Sequence, residues 1–247
     1  MRTLSQVFVF ASLSLAACGD GFKPENFADP VELLEVSEAM YRAGDCGDAS
    51  EGLRQVSFSV PARDSISLRA RFFLAECHLK RNEFLEAARQ FQRIADEAPN
   101  SSFAPNALLR AADSYAMLWK GPQLDPTYGE TALSTYTEVV ARFPGTTAAR
   151  RAGASILRLN DRFAEKEFTT GELYLRWKFY DSAILYFKSV VATYGQTQFA
   201  SRALLRLVDI YNRLEYDTER ADICQHLRDF YADLEGVDSR CPVANTP

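Results

Sequence analysis

Apolar residues recur along the body of the chain at the three- and four-residue spacing of amphipathic helices, and Pro or Gly interrupts the pattern at regular distances. The alternation of apolar and polar residues that is typical of strands is rare. Ala, Leu, Arg and Glu, which favour helices, are abundant in these segments. The pattern therefore predicts an all-α protein of consecutive helices joined by short turns.

The predicted helices recur as pairs with a period of about 34 residues, the length of a tetratricopeptide repeat. In the clearest pair, Asn82 marks the turn between the two helices and Pro99 ends the second helix. Small residues such as Ala75 and Ala87 allow paired helices to approach closely, whereas Phe91 fills the space between neighbouring pairs. Because no pair can bury its apolar face alone, the pairs are expected to stack into a tetratricopeptide-repeat superhelix.

About five helix pairs fit the chain, with two departures from a plain array. Repeats one to three are predicted over residues 31–146, repeats four and five over 147–235, and a tail over 236–247. An extra loop at Trp119–Gly129 separates the helices of repeat three. The segment from Thr147 to Lys178 has few helix breakers, which predicts one long helix linking the two sub-arrays.

The amino terminus carries an apolar run from Val7 to Ala17 that follows the basic residue Arg2 and precedes a cysteine. As a helix this run is about 16 Å long, too short to cross a hydrocarbon core of about 30 Å. It resembles the signal of bacterial lipoproteins, which implies that residues 1–17 are removed and that Cys18 is lipidated. Two or three acyl chains would anchor the protein stably, with residues 18–30 as a flexible tether. An ordinary secreted protein is the alternative.

The residue after the lipidated cysteine indicates which membrane holds the anchor. In the enterobacterial sorting rule, an Asp at this position retains a lipoprotein at the inner membrane, and this chain has Gly19 there, with Asp20 one position later. Similarity to that rule favours the outer membrane, with the protein facing the periplasm.

The composition limits the kinds of partner. The formal net charge is −5, which argues against nucleic acid and against electrostatic docking on anionic lipid, since both require a basic surface. An apolar content of 47% supports a sizeable core.

Four cysteines follow the lipidated one, an even number compatible with two disulfides in an exported protein. Of the three connectivities, the sequence-local one joins Cys46 to Cys77. It also joins Cys224 to Cys241, which would hold a Pro-containing tail against the last helix. A zinc site is the alternative, but Cys-x-x-Cys is absent from the sequence and Cys77 and His78 project about 100° apart on a helix.

Residues suited to catalysis are sparse. The chain has two histidines, His78 and His226, and the first is predicted to pack in the core. The sequence contains no glycine-rich phosphate loop, nucleophile elbow or His-Glu-x-x-His motif. The prediction is a protein without enzymatic activity, cofactor or metal.

Four short motifs carry a more specific resemblance. They are Asp125-Pro126-Thr127 in the extra loop, Arg142-Phe143-Pro144-Gly145-Thr146, Asn160-Asp161-Arg162-Phe163-Ala164-Glu165-Lys166-Glu167-Phe168 and Tyr180-Asp181-Ser182-Ala183. Together with Cys18 and an acidic array of five repeats, they make residues 30–232 resemble the BamD family, the tetratricopeptide lipoproteins of the outer-membrane β-barrel assembly machinery.

This resemblance implies an outer membrane protein assembly factor. The implied partners are a BamA-like barrel-forming subunit, its accessory lipoproteins and unfolded outer-membrane proteins. Because many unrelated scaffolds share the repeat, a scaffold of another envelope machine, associated with a pilus or the cell wall, remains the alternative.

The first helix of each pair lines the concave face of such arrays. Residues at i, i+3, i+7 and i+10 of these helices are predicted to project outward and to form a peptide-binding face: Arg69, Phe72, Glu76, Leu79, Asn106, Leu109 and Asp113. Apolar contacts would supply affinity, and paired charges would fix the register of the peptide. The resemblance implies that this amino-terminal half recognises the carboxy-terminal signal of unfolded barrel proteins.

The second helix of repeat four departs from the family pattern. Many members have an Asn-Arg pair in the region that docks the barrel-forming subunit, and this chain has Leu185-Tyr186 there, with Lys188 as the nearest base. Tyr186 and Lys188 are therefore the candidate docking residues, and Tyr186 would act through aromatic packing instead of an ion pair.

Overall fold

The computed structural model describes residues 21–242, so the predicted signal and Cys18 lie outside the described residues. Within this range the chain is helical and contains no strand, and the predicted all-α class is confirmed. After a single 3-10 turn, the helices are α1 Pro30–Ala43, α2 Cys46–Ser59, α3 Ser65–Lys80, α4 Phe84–Glu97, α5 Ala104–Leu118, α6 Thr127–Arg142, α7 Thr147–Arg176, α8 Tyr180–Thr193, α9 Gln198–Leu214, α10 Asp217–Phe230 and α11 Val237–Arg240.

The first ten helices form five antiparallel pairs, α1/α2 to α9/α10, each packed on the next. The first helices of successive pairs also touch, as α5 and α7 do. The long linking helix is confirmed as α7, which has 30 residues and ends two positions before the expected Lys178. Thr146 caps this helix, because its hydroxyl accepts from the backbone N–H of Ala149 at 3.1 Å.

The turns within the pairs share one backbone conformation. Gly44, Asn82, Lys178 and Glu215 follow the first helix of pairs one, two, four and five, and all four have positive φ, between 59° and 93°. Pair three has the predicted extra loop in place of this turn.

The extra loop is held firmly against α7. Trp119 is buried and stacks on Phe163, with their ring centroids 4.5 Å apart. Arg162 lies over the indole at 4.3 Å and donates to the backbone carbonyl of Trp119. Lys166 donates to two further loop carbonyls, at 3.1 and 3.2 Å. The loop therefore forms part of the packed structure where the two halves of the array meet.

The apolar core divides within α7. One cluster runs from Leu68 to Phe163, and the next runs from Ala164 to Tyr211. In the second cluster, a Cβ on Gly171 would lie 2.8 Å from the Phe187 ring, so only glycine allows α7 and α8 to come this close. The two halves of the array therefore share α7. The division of the array into two sub-arrays at residues 146/147 stays a prediction.

The carboxy-terminal end is closed by a disulfide between Cys224 and Cys241, with a Cα–Cα distance of 5.3 Å. The Arg240 guanidinium pairs with Asp209 at 2.8 Å and ties the segment to α9. The beginning of the predicted tail thus includes the short helix α11 and packs against the last pair.

The other sequence-local bridge is absent from the structure, which corrects that prediction. Cys46 and Cys77 are free, buried thiols in the apolar cluster of the first repeats. Burial, reinforced by a hydrogen bond with Cys46, raises the pKa of Cys77 to about 12. A neutral thiol packs as a small apolar side chain, which suits the apolar surroundings of both cysteines.

Candidate functional site

The predicted peptide-binding face is only partly exposed. Arg69 and Asn106 are exposed, whereas Phe72 and Leu79 are half-buried and pack against the core. Leu109 is 1% exposed, so its assignment to the surface is wrong. Because each first helix touches its partner and the helices of adjacent pairs, only a narrow stripe of α5 remains open.

The half-buried Phe72 belongs to an aromatic cluster between pairs two and three. Its ring centroid lies 5.1 Å from that of Phe91 and 6.1 Å from that of Phe103. The side chain therefore contributes mainly to packing between the repeats.

Glu76 is buried and forms an ion pair, which corrects its assignment as an exposed charge. Arg110 on α5 donates to both carboxylate oxygens of Glu76, at 2.5 Å each. Burial works against the charged form of Arg110, but the hydrogen bonds and charge of Glu76 raise its pKa above the ordinary value. The pair links α3 to α5 and fixes the position of the guanidinium.

Asp113 continues this polar network towards α6. Its Oδ1 accepts from the Tyr136 hydroxyl at 2.7 Å, and its Oδ2 accepts from Arg110 at 3.3 Å. Burial and the charge of Asp113 raise the pKa of Tyr136 well above its usual range, so the phenol remains protonated and donates.

A cavity of about 310 Å³ opens beside this network, between α5 and α7. Its lining includes Arg110, Asp113, Met117, Tyr136, Arg158 and Arg162. Of these, only Asp113 was among the predicted peptide-binding residues. The open stripe of α5 consists of Asn106, Arg110, Asp113 and Met117. Arg110 therefore takes the place on this stripe that was predicted for Leu109, one position earlier.

The two candidate docking residues lie on different flanks of α8. Tyr186 stacks on Tyr174 of α7, with centroids 5.4 Å apart and planes 16° from parallel. Lys188 lies over the ring of Tyr211 on α9, at 5.9 Å. The structure therefore does not bring Tyr186 and Lys188 together in one site.

Tyr186 instead belongs to an aromatic edge that the sequence did not predict, defined by Tyr174, Trp177, Phe179 and Tyr186. Tyr174 contacts the rings of the other three residues. Trp177 and Phe179, in the turn from α7 to α8, are 58% and 59% exposed. The clustering of five aromatic residues in residues 174–186, these four and Tyr180, was the available sequence signal. Large exposed aromatic surfaces of this kind are typical of protein–protein contacts.

In residues 21–242, no group of His, Cys, Asp and Glu side chains has the arrangement of a metal site. None of the helices described there combines the length and apolar character needed to cross a bilayer.

The stacked helix pairs define a helical-repeat array, and the cavity and the aromatic edge are its candidate interaction surfaces. The fold resembles a tetratricopeptide-repeat protein of Thermus thermophilus with a TM-score of 0.37 and 16% identity, over 86% of this chain and 97% of that one. It also resembles the tetratricopeptide-repeat domain of P58(IPK), with a TM-score of 0.44 and 17% identity, over 86% of this chain and 54% of that one.

The chain belongs to the YfiO family of outer membrane lipoproteins, whose sequence model matches residues 28–227. It is 30% identical over 212 residues to the outer membrane protein assembly factor BamD of Caulobacter vibrioides, covering 85% of this chain and 69% of that protein. It is also 33% identical over 101 residues to BamD of Rickettsia prowazekii, covering 41% of this chain and 40% of that protein. The resemblance to the BamD family inferred from short motifs is confirmed.

Proposed function

We propose that the protein is an outer membrane protein assembly factor. It acts as a scaffold without enzymatic activity, held at the periplasmic face of the outer membrane by a lipid on Cys18. The observation that supports this proposal most strongly is the family match over residues 28–227, together with 30% identity to a BamD over 85% of the chain.

In this proposal the two open surfaces have different partners. The concave face of α3, α5 and α7 receives extended segments of unfolded β-barrel precursors, as its mixture of apolar and charged side chains suits a peptide. The aromatic edge on α7 and α8 docks the barrel-forming subunit, and accessory lipoproteins complete the assembly. Since α7 contributes to both surfaces, precursor and subunit are held in a fixed relative position.

Depletion of the protein in its native host tests the overall function. We expect co-purification of a large outer-membrane barrel protein before depletion, and loss of several barrel proteins from the outer membrane after it. Unchanged barrel protein levels would contradict the proposal. Capture of pilus or wall-synthesis proteins without any barrel protein would point to another envelope machine.

Site-specific crosslinking tests the docking surface. A photo-crosslinking residue in place of Tyr186 is expected to capture the barrel-forming subunit in intact cells, and one in place of Trp177 is expected to do the same. Phe58 is a suitable control, because it is 83% exposed and lies on α2 at the other end of the array. Equal capture from Phe58 would contradict docking at the aromatic edge.

Metabolic labelling tests the anchor. Radiolabelled palmitate is expected to enter the wild-type chain and not a Cys18→Ala variant, which should also leave the membrane fraction.

A further inference from the structure

We propose that the end of the first helix pair at which α2 turns into α3 lies against the lipid bilayer, with the Phe58 side chain in the interfacial region. The proposal rests on the proposed function in taking Cys18 to carry the lipid. It adds a surface of the folded protein that touches the bilayer beside the covalent anchor. The supporting features are a packed segment before α1, an exposed aromatic ring and a stretch of chain without acidic residues.

The segment before α1 is packed on α2. Pro24 is buried, and its backbone carbonyl accepts from the Gln55 side-chain amide at 3.1 Å. The Phe22 ring packs against the apolar cluster of the first repeats, and a Cβ on Gly52 would lie 3.0 Å from that ring. The chain is therefore fixed on α2 from Phe22 onwards.

This packing limits the distance between the lipid and the array. Residues 19–21 separate Cys18 from Phe22, and four residue steps of extended chain span at most about 14 Å. Phe58 follows Gly52, which faces the Phe22 ring, by six positions, or about 9 Å along the helix axis. A lipid on Cys18 therefore holds the bilayer surface close to the end of α2.

The end of α2 presents an aromatic ring to the outside. Phe58 lies in the last turn of α2 and is 83% exposed, more than any other large apolar side chain in residues 21–242. Val31, in the first turn of the antiparallel helix α1, is also exposed and lies at the same end of the pair. Phe is one of the side chains that protein surfaces bury at the boundary between headgroups and acyl chains.

The charges around this ring suit lipid phosphates. No Asp or Glu occurs from Gly52 to Arg63, the stretch that completes α2 and forms the turn to α3. Arg54 and Arg63 are both exposed, and among residues 21–242 neither forms an ion pair with a carboxylate. At a membrane surface, the stem of an arginine lies along apolar groups while its guanidinium reaches the phosphates.

The acidic residues that flank this stretch are engaged or distant. Asp64 caps α3 with its side chain, and Glu51 lies about 10 Å from Phe58 along the helix axis. Glu25 and Glu32 are exposed elsewhere on the first pair. We therefore expect the contact to depend on burial of the Phe58 ring more than on anionic lipid.

A protein segment is the competing occupant, because Phe58 also borders a groove of about 400 Å³ together with Leu74 and Arg93. The bilayer is favoured because the anchor keeps it beside the ring at all times. A tethered partner has a high effective concentration, so even a weak contact with it is occupied.

Photo-crosslinking to lipid tests the contact. The lipidated full chain with benzoylphenylalanine in place of Phe58 is reconstituted into vesicles of phosphatidylethanolamine and phosphatidylglycerol and irradiated, and adducts are identified by mass spectrometry. Phe230 is the matched control, because it is also a phenylalanine, is 71% exposed and lies on α10 in the last pair. We expect about fivefold more phospholipid adduct from position 58. Equal adducts at both positions, or none at position 58, would overturn the proposal.

A chain with a single acyl group measures the contribution of the ring. One myristoyl group on Cys18 gives only marginal membrane binding, so a further contact changes the fraction bound to the same vesicles. Phe58→Ser is expected to weaken binding of this chain about tenfold. Phe230→Ser should leave it within about twofold, and equal losses in the two variants would overturn the site.

Thermal unfolding checks that each variant is folded, and palmitate labelling separates this inference from the proposed anchor. A palmitate-labelled chain that gives no lipid adduct at position 58 would contradict this inference alone. Crosslinking from position 58 to a protein instead of phospholipid in intact cells would place a partner in the groove and overturn the bilayer contact. Lipid adducts together with unchanged barrel protein levels after depletion would support this inference and contradict the proposed function.

Discussion

At the residue scale, small side chains determine where large ones lie. Gly129, in the first turn of α6, faces the Trp119 ring, and a Cβ at this position would lie 2.7 Å from the indole Cδ2. Gly153, in α7, has no atom within 4 Å of such a Cβ. The two glycines therefore have opposite roles, although both lie in helices.

A pair of alanine substitutions tests this difference. We expect Gly129→Ala to destabilise the protein by about 1–3 kcal/mol, because the added methyl group displaces the indole. Gly153→Ala should stabilise it by up to about 1 kcal/mol, because alanine is the better helix former and the space is open. Urea unfolding measures both changes. Changes of the same sign in the two variants would contradict this account of Gly129.

The raised pKa values of the Cys77 thiol and the Tyr41 phenol predict that the folded protein loses stability at alkaline pH. Burial raises the pKa of Cys77 to about 12 and, with the charge of Glu76 as a second cause, that of Tyr41 to about 12. In the unfolded chain the pKa of the cysteine is about 8.5 and that of the tyrosine is about 10. The unfolded chain therefore loses its protons first, and their contribution to stability is complete below about pH 8.5 and falls as pH rises towards 12.

Urea unfolding at pH 8, 9, 10 and 11 measures this decline. We expect Cys77→Ala to be less stable at pH 8 but to lose less stability than the wild type between pH 8 and 10. A wild-type stability that does not change between pH 8 and 11 would contradict the expectation.

At the element scale, the loop from Trp119 to Pro126 contributes to the core, although an insertion between paired helices usually lies on the surface. The indole packs against Phe163, and Arg162 lies over it. Asp125 then starts α6 by accepting from the Thr127 backbone N–H at 2.9 Å. The hydrogen bonds with Thr127 lower the pKa of Asp125.

Truncation of the indole tests the contribution of this loop. We expect Trp119→Ala to cost about 3–5 kcal/mol, the range for removal of a buried aromatic side chain. Phe58→Ala is the control, because that ring is largely exposed and its removal should change stability by less than about 0.5 kcal/mol. A small effect of Trp119→Ala on urea unfolding would show that the loop is peripheral.

The sequence was sufficient to predict the helices, their pairing and the length of α7, because Pro, Gly and apolar spacing are local signals. It was insufficient to predict which neighbouring residue on α5 faces the cavity, Leu109 or Arg110. That choice depends on how adjacent pairs rotate against each other, which arises from contacts between helices far apart in sequence. The same limit applied to Cys46 and Cys77, whose separation along the chain did not reveal that they pack as free thiols.

At the scale of the whole molecule, stability is expected to vary along the array. Each pair contacts mainly its neighbours, so the terminal pairs have one packed side and the central pairs have two. At the carboxy-terminal end, the Cys224–Cys241 disulfide and the Arg240–Asp209 ion pair partly replace the missing neighbour.

Reduction of the disulfide should therefore act locally. We expect faster amide hydrogen exchange in α10 and α11 and little change in α5 and α6, because opening a terminal unit leaves central interfaces intact. Exchange with and without reductant, followed by mass spectrometry, measures the difference, and Cys224→Ser should reproduce the reduced pattern. Uniform acceleration across the chain would indicate a single cooperative unit instead.

The continuity of α7 has a mechanical consequence. A helix of 30 residues is about 45 Å long, and its two halves belong to different apolar cores. Because α7 is one continuous helix, we expect a tilt of its end near Trp177 to turn the residues around Arg158 as well.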